Sequence, residues 1–484
     1  MNKKFVVFIC SLIVLLLPFS TACGGQTERR TRYEISLSLD KNVITATQTV
    51  DYVNDTENSL KVLKFNLFAN AFRKDVKHSP ISAQNKSLAY PNGVSYGDMQ
   101  ILSAKTDGVA AEFSVGGEDE NVLSVKLNRE VFPQESIKID LEYSVNLANV
   151  IARTGINDKT INLANFYPIL CVYDDGGFYE CVYYSSGDPF YSDCADYKVS
   201  LTCDSDYVVA ATGRRENGCT TESKTTHEFS AENVRSFAMV LSKDFETATD
   251  NSLGIEVNYY YYKDAAPLKS LEYAIKSLKH FSDKFGAYPY STYSVVQTPF
   301  VQGGMEFPTL VMIADNLEEK AYGEVIVHET AHQWWQTAVG NNEIEYGFLD
   351  EGLAEYSVVL FYENHPEYKM TREFMVKSAE QTYKVFCTVS DKVFGKVNTK
   401  MIRSLKDFES EYEYVNIAYV KPCIMYDNLR TTVGDERFFK GLKKYFEEYK
   451  YKNATPDDLV GCFEKIGAGT NGFFESFFDG KVII

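Results

Sequence analysis

Six histidines are scattered through 484 residues, and two of them stand four apart in His328-Glu329-Thr330-Ala331-His332. In a helix that spacing puts both imidazoles on one face, one turn apart. Two ring nitrogens so placed can hold one Zn²⁺ at roughly 2.0–2.1 Å. Glu329 leaves the helix beside them and can accept a proton from a water that the metal activates. Glu351 follows His332 by nineteen residues, within Phe348-Leu-Asp-Glu-Gly-Leu-Ala-Glu-Tyr356, and can supply a third ligand from a second helix. A fourth position is then left for water, and the chemistry is metal-assisted hydrolysis. The competing reading is a surface helix with two solvated histidines. Val325, Ile326 and Val327 before the motif and Trp334 and Trp335 after it make the segment apolar, so its polar groups need partners.

The elements that must position these residues change character along the chain. Tyr33, Ile35, Leu37 and Leu39 alternate with Glu34, Ser36, Ser38 and Asp40, the pattern of a half-buried strand. Strand-like runs follow at 43–53, 60–67, 112–115, 121–127, 136–145, 197–203, 207–211 and 226–229. No helical period is evident before about residue 265. Many short strands over 33–250 predict an N-terminal β-sandwich-like domain. After a strand at 255–262, Leu268, Leu271, Ile275, Leu278 and Phe281 adopt helical spacing, closed by Gly286 and Pro289. Strands at 293–298 and 310–314 precede the histidine helix, which Asp315 or Asn316 is expected to cap. The second metal helix should start near Leu349, and further helices, 436–449 among them, fill the rest. The chain therefore reads as multidomain, β then α+β, with the second domain over 251–484.

Residues 1–22 stand apart from this fold. Lys3-Lys4 precede an uncharged apolar run from Phe5 to Leu17, of signal-peptide length. Ser20, Thr21 and Ala22 then lead into Cys23-Gly-Gly, like a bacterial lipoprotein processing site, with 23–32 as a tether. The expectation is export, either to the outer face of the bacterial cell membrane through a lipid on Cys23, or as a secreted protein. The formal charge is −18, and loss of Lys3 and Lys4 makes it more negative; that excludes nucleic-acid binding by phosphate neutralisation. Cys171, Cys181, Cys194, Cys203 and Cys219 contain no C-x-x-C spacing, so metal binding by them is not expected. Disulfides and buried thiols both remain open for them.

Taken together, H-E-x-x-H, Glu351 at its spacing and the Leu-Asp-Glu-Gly-Leu-Ala-Glu-Tyr run resemble the aminopeptidase-N-like family of gluzincin metallopeptidases. Phe348 replaces the family's Trp. The resemblance implies a thermolysin-like α+β zinc peptidase domain with one Zn²⁺ per chain. It makes His328, His332 and Glu351 the ligands, Glu329 the general base, and Glu355 the partner of a ligating imidazole. Upstream, Gly303-Gly304-Met-Glu306-Phe307 resembles the family's G-[AG]-M-E-N strand, with Phe307 in place of Asn. There Glu306 implies capture of a substrate's free α-amine, and Gly303 and Gly304 imply backbone contacts to the peptide. Downstream, Tyr419-Val-Lys-Pro-Cys423 and Gly434-Asp-Glu-Arg-Phe438 resemble the Y-x-K-G-A segment and the G-D-E-x-F that follows it. That implies Tyr419 as oxyanion donor, with Tyr412, Tyr414 and Tyr426 as competitors. Pro422 and Cys423 replace Gly and Ala, so the helix start is expected to differ. Phe166-Tyr-Pro168 and Gly187-Asp-Pro-Phe190 also look family-like, with no chemistry assigned.

The expected function is zinc-dependent removal of N-terminal residues from peptides outside the cell. Two other readings share the scaffold: a gluzincin endopeptidase, and a non-catalytic surface lipoprotein that binds peptides. The large aminopeptidases carry a long C-terminal helical domain that these 484 residues lack, so an open cleft and acceptance of longer peptides are also expected.

Overall fold

The computed structural model describes residues 30–395 and 397–482. The leader, Cys23 and most of the tether lie outside the described residues. The alternation at Tyr33–Asp40 folds as the strand Arg32–Asp40, with every second residue buried. It pairs antiparallel with Val43–Val53 and parallel with Ala195–Asp204, inside an eight-stranded sheet. Two four-stranded sheets and the short hairpin of Tyr173–Asp174 with Gly177–Phe178 complete the β-rich half among the described residues. One contains Leu60–Asn66 and Val122–Val131; the other contains Ile161–Ala164 and Ala238–Ser242. Strands without alternation escape the sequence reading. Arg214–Thr220 is a polar, exposed edge with a register shift between Arg215 and Gly218, whereas Ala238–Ser242 is buried on both faces. All five cysteines between 171 and 219 are free thiols.

The second half is built on a five-stranded sheet. Glu256–Tyr261, Thr292–Thr298 and Leu310–Ala314 run parallel, flanked by antiparallel Glu246–Asp250 and Gly304–Met305. Parallel neighbours need a long crossover, and the helix Pro267–Phe285 supplies the first, burying Leu271, Ala274, Leu278, Phe281 and Phe285. The histidine helix, Glu319–Ala331, follows the last parallel strand. Its expected cap is not formed: the N-cap is Glu318, with no side-chain bond. Asp315 instead accepts from the Tyr262 hydroxyl at 2.6 Å and pairs with Lys263. Helices Phe348–Glu363, Arg372–Phe394, Lys421–Val433, Asp435–Tyr449, Pro456–Lys465 and Asn471–Phe478 follow, packed on the first two helices and on one another.

One continuous buried cluster runs through both halves. Arg235, 3% exposed, fastens them together. Its guanidinium donates to the backbone of Ser192 within the β-rich half. Its other bonds go to the carbonyls of Gln336 and Lys452 and to the Asn453 side chain. Gly340 is required beneath it, since a Cβ there would stand 2.0 Å from the guanidinium carbon.

Candidate active site

His328 and His332 converge because the helix runs unbroken to Ala331 and His332 keeps helical dihedrals as its C-cap. Their Nε2 atoms are 3.0 Å apart, and Glu351 Oε2 lies 3.3 Å and 3.1 Å from them respectively. A tetrahedral zinc with donors at ~2.0–2.1 Å spaces them by roughly 3.3 Å, so this triangle fits. The far side of each ring is also held. His332 Nδ1 donates to the Trp335 carbonyl at 2.9 Å, and His328 Nδ1 faces Glu355 Oε2 at 3.3 Å. Both arrangements turn Nε2 toward the shared centre. Burial opposes ionisation of Glu351, yet the two imidazoles outweigh it and hold the carboxyl down at about 2. Burial likewise opposes charge on His328, but its bonds to Glu351 and Glu355 bring it up to about 10. Glu306, Glu329 and Glu351 are all buried in this cleft, a concentration of carboxyl groups that a divalent cation between the imidazoles and Glu351 would stabilise.

All nine residues singled out from the sequence line one cleft of about 370 Å³. Glu329 is 5% exposed and its Oε2 has no hydrogen-bond partner. Burial raises its carboxyl to about 7 against the pull of His328 and His332. Glu306, on the loop after the edge strand Gly304–Met305, is 3% exposed with Oε1 unpartnered. Burial, and then Asp188, lift it well above the usual carboxylate range. Gln333 couples this strand to the histidine helix: its Oε1 accepts from Thr309 N–H at 2.8 Å and its Nε2 donates to the Phe307 carbonyl. Phe307 itself is buried.

Tyr419 reaches the same centre from a π-helical turn, Asn416–Val420, just ahead of the helix Lys421–Val433. Pro422 explains the irregularity, since its ring would crowd the carbonyl four residues back in a regular helix. The Tyr419 hydroxyl donates to Glu351 Oε1, and its ring stacks on His328 at 6.0 Å. Gly352 permits the approach of this turn, because a Cβ there would lie 2.3 Å from the Pro422 side chain. Two competing tyrosines go elsewhere, Tyr412 half exposed and Tyr426 buried in the helical core, whereas Tyr414 lines the same cleft, edge-on to the Tyr419 ring and against Gly187 and Gly347.

Asp188 and Arg153 also line the cleft, and neither carried an assignment from the sequence. Asp188, within the Gly187–Phe190 run, forms a buried ion pair with Arg153, whose Nε also meets Met305 Sδ at 2.9 Å. Both come from loops of the β-rich half, so no periodicity marks them. The family-like run itself was the only available signal.

Residues 269–478 match the model of the peptidase family M1 domain. Aminopeptidase M1-A of Oryza sativa subsp. japonica is 27% identical over 240 residues, 46% of this chain and 26% of the relative. Aminopeptidase N of Lactobacillus helveticus is 27% identical over 225 residues, 43% of this chain and 26% of the relative. The chain thus spans about a quarter of the length of these curated relatives. Among solved structures, the M1 zinc metallopeptidase of Deinococcus radiodurans superposes with a TM-score of 0.68 at 17% identity, covering 94% of this chain and 96% of that one. A mutant of that protein bound to a Tyr-Ser-Ala substrate gives the same score, identity and coverage. The similarity to peptidase family M1, the aminopeptidase-N-like gluzincins, is thus carried by residues 269–478.

Proposed function

We propose that this chain is a zinc-dependent aminopeptidase that removes N-terminal residues from peptides outside the cell. The observation that carries the reading is Glu306, a buried carboxylate with a free oxygen, in the same cleft as the His328, His332 and Glu351 triangle. A fixed carboxylate at that place selects a substrate ammonium by a charge-assisted hydrogen bond. Zn²⁺ held by the three ligands supplies Lewis acidity for the scissile carbonyl and the attacking water.

The chain's own residues do the rest. Glu329 takes the proton of the attacking water at Oε2 and returns it to the leaving amine; burial tunes it toward that exchange. Tyr419 keeps its phenolic proton, because burial and the Glu351 charge raise its pKa well above the usual value. It can therefore donate to the oxyanion as charge develops. Gly303 and Gly304 leave the sheet edge open, so an extended peptide can lie along it as an added strand.

Export rests on the leader-like residues 1–22, and anchoring on a lipid at Cys23. The Deinococcus radiodurans structure with Tyr-Ser-Ala lends support for peptide binding on this fold. The test is hydrolysis of aminoacyl-coumarins by purified protein of measured zinc content. Turnover of free-amine substrates and not of N-acetylated ones is expected. Equal turnover of acetylated peptides would mean an endopeptidase, and zinc binding without turnover a peptide-binding protein. Labelling of intact cells, and of the Cys23→Ser variant, tests export and anchoring.

A further inference from the structure

Lys421 is fully buried, at 0% exposure, and no carboxylate pairs with it among the described residues. An ammonium in that position is costly unless its protons are taken up locally. Its Nζ donates to two backbone carbonyls, Thr399 at 2.6 Å and Phe477 at 2.9 Å. Phe477 lies in the last turn of the helix Asn471–Phe478, where the carbonyl end carries partial negative charge. The Phe477 ring also flanks the ammonium at 6.0 Å. The same two segments are zipped together by Met401 N–H to the Phe478 carbonyl and by the Thr399 hydroxyl to the Gly480 carbonyl. Burial draws the Lys421 pKa down to about 8, so the charge is retained at neutral pH.

The position in sequence gives this tether a use. Lys421 begins the helix immediately after the π-helical turn that presents Tyr419. A π turn is a rare arrangement that a helix does not keep unaided, and a small rotation there would swing the Tyr419 hydroxyl off Glu351. We infer that Lys421 is a positioning residue: by fastening the Asn416–Val420 turn to the carbonyl end of the helix Asn471–Phe478, it holds Tyr419 at the reacting centre. This rests on the proposed role of Tyr419 in peptide hydrolysis. It also makes the C-terminal helix a buttress of the active site, although that helix contributes no residue to the cleft lining.

The test combines Lys421→Met and Tyr419→Phe, singly and together, with hydrogen exchange read by mass spectrometry. Lys421→Met should lower kcat about 10- to 100-fold with KM within about twofold and zinc content unchanged. In the Tyr419→Phe background it should cost less than about twofold more, because the group it positions is already gone. Exchange over 412–420 should accelerate at least about tenfold, with the histidine helix unaffected. An undiminished loss in the Tyr419→Phe background, or unchanged kcat and exchange in a folded Lys421→Met protein, would overturn the inference. If the wild type hydrolyses no peptide, the functional reading fails, and the exchange result alone decides whether Lys421 holds the turn. If Lys421→Met does not fold, wild-type exchange decides: 412–420 and 471–480 should open as one unit, and independent opening refutes the tether.

Discussion

Gly304 leaves the space that Glu329 occupies: a Cβ built on Gly304 would stand 2.1 Å from Glu329 Oε1 and 2.6 Å from its carboxyl carbon. The edge strand and the Glu329 side chain are therefore fitted to each other by the absence of a single carbon. Gly304→Ala should push the carboxylate out of line and lower kcat/KM by about 100-fold, the scale of misplacing a reacting group. Metal content and thermal stability should stay close to wild type. Normal turnover by Gly304→Ala would show that Glu329 has room to spare.

Glu329→Gln preserves the shape of the side chain and removes its basicity. Activity should fall at least about 100- to 10,000-fold, the range for losing a general base. Zinc measured by atomic absorption should remain near one per chain. Full activity in this variant would sink the assignment of Glu329.

Glu306→Gln tests amine recognition separately from chemistry. Loss of one charge-assisted bond to a buried ammonium, worth about 1.5–3 kcal/mol, corresponds to roughly a 10- to 150-fold loss in kcat/KM for free-amine substrates. Discrimination against N-acetylated substrates should shrink by a similar factor. An unchanged ratio would place amine selection elsewhere, and Asp188 would be the next residue to examine, since it lies in the same cleft.

Metal removal should unfold the site as well as silence it. Two imidazoles and Glu351 converge within 3.3 Å of one another, and Glu351 holds its negative charge. A ligand that binds only the folded state adds stability, about 2.7 kcal/mol at 100-fold excess over Kd. Chelation should therefore lower the melting temperature and abolish hydrolysis, and added Zn²⁺ should restore both. His332→Ala should melt at the same temperature with and without chelator.

Acid sensitivity should come in part from His280. Burial first, then the His365 and Lys284 charges, lower its pKa to about 3. It is 7% exposed and its Nε2 is unpartnered. The folded pKa lies below the unfolded value of about 6.5, so the unfolded chain takes up the proton first. Stability is thus fully present above about pH 6.5 and falls as pH drops toward 3, by about 1.4 kcal/mol per unit. Melting curves from pH 7 to 4.5 should show a shallower decline in His280→Gln than in wild type; parallel curves would remove His280 as a cause.

The convergence of His328, His332 and Glu351 was legible because a shared centre imposes spacing: four residues within one helix for the histidines, and a glutamate on the next. The half-buried strands were legible for the same kind of reason, since a strand with one wet face must alternate. Ala238–Ser242 was not, because a strand buried on both faces has no alternation to show. Asp188 and Arg153 lie 35 residues apart in sequence, and their contact depends on tertiary packing alone. Among the tyrosines, a regular helix does not indicate which one reaches Glu351, because a π turn shifts the register at Tyr419. The Pro422 that accompanies this turn was visible. Asp315 looked like a helix cap by position, but Tyr262 and Lys263 claim it instead.

Arg235 carries one last consequence. Its donors bridge the β-rich half to the loops at Gln336 and Lys452–Asn453, and the core beneath it is continuous. Covalent continuity between the halves is then redundant once folding is complete. A protease nick in the exposed turn between Asp250 and Glu256 would yield two fragments that co-elute and keep turning over substrate. The helical half made alone would bare the Gln336 and Lys452 carbonyls and the hollow over Gly340, and would be recovered as an aggregate.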